Sequence, residues 1–222
     1  MAKKLKLILF GAPGSGKGTF AEQIKKVSSN IVHVSTGDIF RENLKNSTPL
    51  GLKAKTYMDK GELVPDDLVI EIVKDRLNKE DVKQNGFILD GYPRTLSQAK
   101  ALNDITDIDL VLLLEVSFSL IKKRILGRFS CNKCGEIFNK YTLEPKVKKG
   151  KDKWICDKCG AEIEFVQRSD DTEETLKNRV KNYEKNAKPV IKYYKKTKKV
   201  KKVDSSNTLE LSLDEIKKII EA

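Results

Sequence analysis

The apolar positions of this chain come in short uninterrupted runs, and amphipathic stretches with helical spacing lie between them. "KLKLILF" (4–10) reads as a buried strand, and "GFILD" (86–90) and "DLVLLLEV" (109–116) are continuous apolar runs bounded by polar residues. That is the pattern of parallel strands covered on both faces. "IVHVS" (31–35) reads as a further short strand, and "KKVKKVD" (198–204) is a poorer candidate for a last one. Helical stretches follow as "KGTFAEQIKKV" (17–27), "GDIFRENLKN" (37–46) and "DDLVIEIVKDRLNK" (66–79), the third opened by Pro65 and Asp66. "SLDEIKKIIEA" closes the chain, with Ser212 and Glu215 spaced as a capping box. Strands alternating with helices predict an α/β fold, a parallel sheet wrapped by helices.

One segment breaks this rhythm. Between Arg128 and about Asp171 the chain is irregular and lysine-rich, and it holds all four cysteines. Cys131, Cys134, Cys156 and Cys159 form two Cys-x-x-Cys pairs about twenty residues apart. Nothing in the chain is long enough to span a membrane, and "MAKKLKLILF" is too short in its apolar part for a secretory leader, so a cytosolic protein is expected. In that compartment the cysteine pattern is a zinc site before it is a set of disulfides. Gly135 and Gly160 permit the tight turns after each pair. Four thiolates leave no place for a catalytic water, so the metal is structural; iron is the weaker rival. Few apolar residues lie in the insert, so the metal is expected to supply its fold. Phe138, Tyr141, Trp154 and Phe165 are candidates for a miniature core.

Charge adds a second clue. The formal net charge is +12, which makes phosphate-bearing partners plausible. Of the 44 basic residues only seven are arginine: 41, 76, 94, 124, 128, 168 and 179. Arginine's fork suits phosphate and carboxylate in a way lysine does not. All but Arg76 fall in segments flanking strand ends or the hinges of the insert. Those are the places where ligands bind in an open parallel sheet.

The stretch "GAPGSGKGT" (11–19) follows the first strand and opens the first helix. It matches a phosphate-binding loop except that Gly18 replaces the usual hydroxyl residue, which arrives at Thr19. Backbone N–H groups and Lys17 suit it to a nucleotide or another phosphate. His33, the lone histidine, shows no obvious partner in the sequence and reads as an ordinary surface or core residue.

Together "GAPGSGKGT", "STGD…R", "DGYPRT…Q", "R…GR" and "RSDD" followed by Arg179 resemble the adenylate kinase family over nearly the whole chain. The four cysteines match its long-lid, zinc-bearing branch. The resemblance implies a phosphate-loop NTPase-type fold with residues 1–34, 65–126 and 172–222 as core. It makes 35–64 a helical flap over the monophosphate and 127–171 a zinc-bound lid. It implies reversible transfer from Mg-ATP to AMP, giving two ADP. Gly14, Ser15, Gly16, Lys17, Gly18 and Thr19 would hold the ATP phosphates, with Arg124, Arg128, Ile137, Phe138 and Asn207 on the rest of ATP. Thr36, Arg41, Glu62, Leu63, Val64, Gly91, Tyr92, Pro93, Arg94 and Gln98 would hold AMP, Gln98 reading the adenine edge. Arg168 and Arg179 would touch AMP and clamp the phosphoryl group; Lys17, Arg94, Arg128, Arg168 and Arg179 form the catalytic set. Asp90, with Asp38 as a second candidate, would hold Mg2+ through water.

The acceptor is a phosphate oxygen already ionised near neutral pH, so no general base is required, and none is evident. Rival readings are a kinase for GMP, UMP or CMP, and a zinc-ribbon nucleic-acid binder with a vestigial ATPase. The second draws on "KKTKKVKK" (195–202). A monomer without nucleic-acid or membrane partners is expected. The spacer between the cysteine pairs is longer than the family usually carries, the excess lying in "PKVKKGKDK" (145–153), read as a solvated loop or a contact surface.

Overall fold

A computed structural model describes residues 4–221. Strands β1 (Lys6–Gly11), β2 (Val32–Ser35), β3 (Phe87–Asp90), β4 (Leu110–Glu115) and β10 (Val200–Asp204) form one five-stranded sheet. All its pairings are parallel, and the order is β10-β4-β1-β3-β2. The unbroken apolar runs follow from burial on both faces. Ile8, Phe10, Leu89, Val111 and Leu113 enter one core. Their neighbours Leu7, Leu9, Ile88, Leu112 and Leu114 enter the other. Helices α1 (Lys17–Val27) and α9 (Leu213–Ile220) cover the second face. On the first lie α4 (Asp66–Leu77), α6 (Leu96–Ile105) and α8 (Glu173–Lys195). The Ser212–Glu215 capping box is present at the start of α9.

The lysine run near the C-terminus belongs to the end of α8 and to the edge strand β10, where Val203 is buried and Lys202 pairs with Glu115 at 2.8 Å. Lysines on an edge strand discourage further strand pairing.

Two elements fill the connection from β2 to α4: α2 (Thr36–Lys45) and α3 (Pro49–Met58). They pack closely because Gly51 leaves room; a Cβ there would stand 2.4 Å from the Asn43 backbone. After α5 (Glu80–Asn85), β3, α6, β4 and α7 (Phe118–Leu126) the cysteine segment begins. It contains a two-stranded sheet, β5 (Arg128–Ser130) with β6 (Ile137–Asn139). A three-stranded sheet joins β7 (Val147–Gly150), β8 (Lys153–Ile155) and β9 (Glu162–Glu164). The lysine-rich excess is therefore a hairpin strand and its turn, not an irregular loop. Lys148 lies over the Trp154 ring at 5.7 Å, and Lys140 pairs with Asp152 at 2.6 Å. Among the described residues no helix is long and apolar enough to cross a membrane.

Candidate active site

The loops after β1, β2 and β3 open at the carboxyl edge of the sheet onto one cavity of about 580 Å3. Its floor is the glycine loop. Gly16 precedes α1 in left-handed backbone (φ 88°), which a side chain would strain. No side chain caps α1, so its first N–H groups are free to face an anion. Lys17 Nζ bends over the loop, donating to the carbonyls of Gly11 and Ala12 at 2.9 Å each. Burial, with Arg94, Arg179 and Arg128 nearby and only Asp90 opposing, pushes the Lys17 pKa down to about 8.

Six of the seven arginines line this cavity: Arg41, Arg94, Arg124, Arg128, Arg168 and Arg179. The seventh, Arg76, is tied elsewhere by two bonds to Asp81 at 2.8 and 2.7 Å. Five of the six are held by contacts within the protein. Arg128 forms a bidentate pair with the buried Asp171, at 2.7 and 2.5 Å. Arg179 reaches Asp170 Oδ2 at 3.3 Å and Asp171 Oδ1 at 3.4 Å. The two aspartates at the end of the cysteine segment thus aim both arginines, a role that their mere adjacency in "RSDD" does not reveal. Arg124 donates through Nη2 to Ser205 O and Ser206 O, at 2.8 and 3.0 Å. Its buried Nη1 has no partner among the described residues and faces Gly16. Arg94 Nε donates to Gly91 O at 2.8 Å, and Arg41 pairs with Asp38. The Arg168 guanidinium has neither a hydrogen bond nor an ion pair to any described residue; only the residue's backbone carbonyl is engaged, accepting from the Asp171 N–H at 3.1 Å. Burial and the charges of Arg128 and Arg41 push its pKa down to about 10; Arg94 is pushed to about 10 by burial and Arg179. Both stay charged at neutral pH, so the cavity carries concentrated positive charge awaiting an anion.

The structure brings nearly all the predicted residues to this cavity. Gly14, Gly18, Thr19, Thr36, Glu62, Leu63, Val64, Asp90, Gly91, Tyr92, Pro93, Gln98, Ile137, Phe138 and Asn207 line it alongside Gly16, Lys17 and the arginines. Ser15 does not: it is fully buried, and its N–H donates to Ala12 O at 3.1 Å. Sequence reading missed Tyr183 and Asn182 of α8, which also line the cavity. Asn182 holds the turn at Gly61, its Nδ2 donating to Gly61 O at 3.0 Å.

His33 stands among carboxylates that the sequence does not bring together: Nε2 lies 3.4 Å from Asp90 Oδ2 without hydrogen-bond geometry, and Nδ1 lies 3.9 Å from Glu22 Oε1. It sits beside the cavity's carboxylate rather than on the cavity wall. Burial works against the Asp90 charge, but His33 and the Lys17 ammonium more than offset it and hold the carboxyl below the usual carboxylate range. An ionised Asp90 across from Gly18 suits a hydrated divalent cation at the phosphates.

The four cysteine sulfurs lie within 4.8 Å of one another, with Cys131–Cys159 and Cys134–Cys156 each at 3.6 Å. Sulfurs about 2.3 Å from a tetrahedral zinc stand about 3.8 Å apart, so the cluster fits a structural zinc ion. Gly135 and Gly160 take left-handed backbone (φ 76° and 70°), and their N–H groups return to Cys131 O and Cys156 O. Phe129, Phe138, Trp154 and Ile163 form the small core beneath, Phe165 packing at its edge. Tyr141 does not join; it is 61% exposed.

A family model described as adenylate kinase matches residues 9–199. The chain is 54% identical to an adenylate kinase of Caldicellulosiruptor bescii over 86% of its length and 87% of the relative's. It is 50% identical to one from Clostridium tetani with the same coverage. Against one from Clostridium perfringens (strain SM101 / Type A) it is 45% identical over 97% of this chain and 98% of that one. With the phosphate loop, the converging arginines and the cysteine cluster in place, the chain belongs to the adenylate kinase family.

Proposed function

We propose that the cavity binds Mg-ATP and AMP side by side and passes the terminal phosphoryl group between them reversibly, giving two ADP. The observation that carries this reading is the convergence of Lys17 and six arginines on one cavity, more positive charge than a single polyanion needs. Gly14, Gly16, Lys17, Gly18 and Thr19 take the ATP phosphates, with Arg124, Ile137, Phe138 and Asn207 around the rest of that nucleotide. Thr36, Arg41, the turn 62–64, 91–94 and Gln98 take AMP. Arg128, Arg168 and Arg179 stand over the phosphoryl group in transit. Bound Mg2+ supplies charge neutralisation on the phosphate oxygens, and Asp90 would hold it through water.

The reaction needs in-line placement and cancellation of charge rather than a base. His33 is turned to Asp90, which supports that reading. Water is the competing acceptor, so the flap (35–64) and lid (127–171) close over the core (1–34, 65–126, 172–222) before transfer. Zinc serves the lid's fold alone. We place the enzyme in the cytosol, where four unpaired thiols keep a metal, as a monomer without a nucleic-acid partner.

The reverse direction tests the proposal. With Mg2+ and ADP alone, phosphorus NMR should show ATP and AMP appearing in equal amounts and no inorganic phosphate. Release of phosphate instead, with AMP but no matching ATP, would make the protein a nucleotide hydrolase and overturn the reading.

The Lys17 titration gives a second check. A lysine with a lowered pKa is charged below about 8 and loses its charge above it. ATP phosphates are fully ionised across that range, so affinity holds at low pH and falls as pH rises. The charged fraction drops from about nine-tenths at pH 7 to about one-tenth at pH 9, so Kd for ATP should rise about tenfold. Calorimetric titration measures it, and Lys17→Met should remove the step. A Kd unchanged between pH 7 and 9 in the wild type contradicts it.

A further inference from the structure

The side-chain amide of Gln98 has two opposite ends, an oxygen that accepts and an NH2 group that donates. Turning the amide over exchanges them. This inference rests on the reading above in which Gln98 meets the adenine edge of AMP. Adenine offers an amino donor beside a ring-nitrogen acceptor; guanine offers an oxygen acceptor beside a ring N–H donor at the same two places. An amide held one way up matches adenine and opposes guanine, and the flipped amide does the reverse.

In the structure the amide is held one way up. Gln98 Oε1 accepts from the Arg94 backbone N–H at 2.7 Å. Gln98 Nε2 donates to Asp66 Oδ1 at 2.7 Å. The other Asp66 oxygen accepts from Thr95 Oγ1, also at 2.7 Å, and Thr95 Oγ1 accepts from the Gln98 N–H at 3.2 Å. A backbone N–H only donates and a carboxylate only accepts, so this pair of anchors admits one orientation. Gln98 is 2% exposed, and a flip would set its oxygen against the carboxylate and its NH2 against an N–H. Each amide end keeps one further hydrogen-bonding position, and Gln98 lines the cavity while Asp66 does not.

We propose that Asp66 is a positioning residue that sets the preference for AMP over GMP by locking the Gln98 amide, without touching the nucleotide. The plainer role for an acidic residue in the first turn of α4 is to favour the helix start. That role lowers stability and leaves base preference alone.

The test is kcat/KM for AMP and for GMP at saturating Mg-ATP, with Tm, in the wild type, Asp66→Asn, Asp66→Ala and Gln98→Leu. Asparagine keeps the carboxylate's shape, but its own amide both donates and accepts and so pairs with Gln98 either way up. The AMP:GMP ratio should fall about tenfold in Asp66→Asn, and at least as far in Gln98→Leu. If Gln98→Leu lowers the ratio while both Asp66 variants keep the wild-type value, the lock is wrong and the reading of Gln98 stands. An equal fall for both acceptors with a lower Tm is the helix-start role and also overturns the lock. If Gln98→Leu leaves the ratio unchanged, the reading beneath the proposal fails, and the lock fails with it. Asp66→Asn decides the matter should Asp66→Ala not fold.

Discussion

Replacing Arg168 with methionine should lower kcat by about 10³-fold or more while leaving Tm unchanged or raising it. The first half follows from its place. Arg168 lines the cavity with Arg128 and Arg179, where charge spreads over the oxygens of the transferring group. The second half follows from its isolation: burial and the charges of Arg128 and Arg41 depress the guanidinium's pKa, and no carboxylate of the described residues pairs with it. Removing a charge held against its surroundings relieves the folded state, and the methionine keeps the aliphatic stem. Steady-state kinetics beside a thermal melt measure both halves. A variant that loses activity and Tm together would show that Arg168 is structural. Arg128 provides the contrast, since its loss takes the bidentate partner from the buried Asp171, leaving it, among the described residues, only Arg179 at 3.4 Å, and should cost stability as well as rate.

Stripping zinc should melt the lid and lower Tm by about 10 °C, on the order of 3–5 kcal/mol for a chain of this size. The lid core holds four buried apolar side chains besides the cysteines, Phe129, Phe138, Trp154 and Ile163, too few to hold a fold without a staple. Trp154, the one tryptophan of the chain, is 1% exposed and lies 4.9 Å from the Phe129 ring. Its emission should shift to the red as the metal leaves. The glycine loop sits on the separate core of the parallel sheet, so ATP affinity should fall much less than kcat. Metal-free protein with an unchanged Tm and a blue tryptophan spectrum would contradict this account.

Much of this was legible in the sequence because the signals are local. Strands β1, β3 and β4 are buried on both faces and read as unbroken apolar runs, and α1 begins where the glycine loop ends. Two Cys-x-x-Cys pairs announce a metal by spacing alone. The scarcity of arginine in a lysine-rich chain marked the cavity, and Arg76 was the exception for a reason the structure supplies. Other features are made by contacts across long stretches of chain. His33 meets Asp90, Arg128 meets Asp171, and Asp66 meets Gln98 only once the chain has folded. Helix α8 escaped notice because it is mostly polar, carries Pro189 inside it, and is capped by a Thr172–Thr175 pair instead of the usual glutamate. The strand β7 hid in a run of lysines because all four of its residues are exposed and leave no alternation to read.

The most direct measurement of the central claim is phosphorus NMR of the zinc-loaded protein with Mg-ATP, adding AMP, GMP, UMP or CMP in separate tubes. The account predicts ADP with AMP, little or no transfer to the other three, and no inorganic phosphate in any tube. Free phosphate without ADP formation from AMP would contradict it.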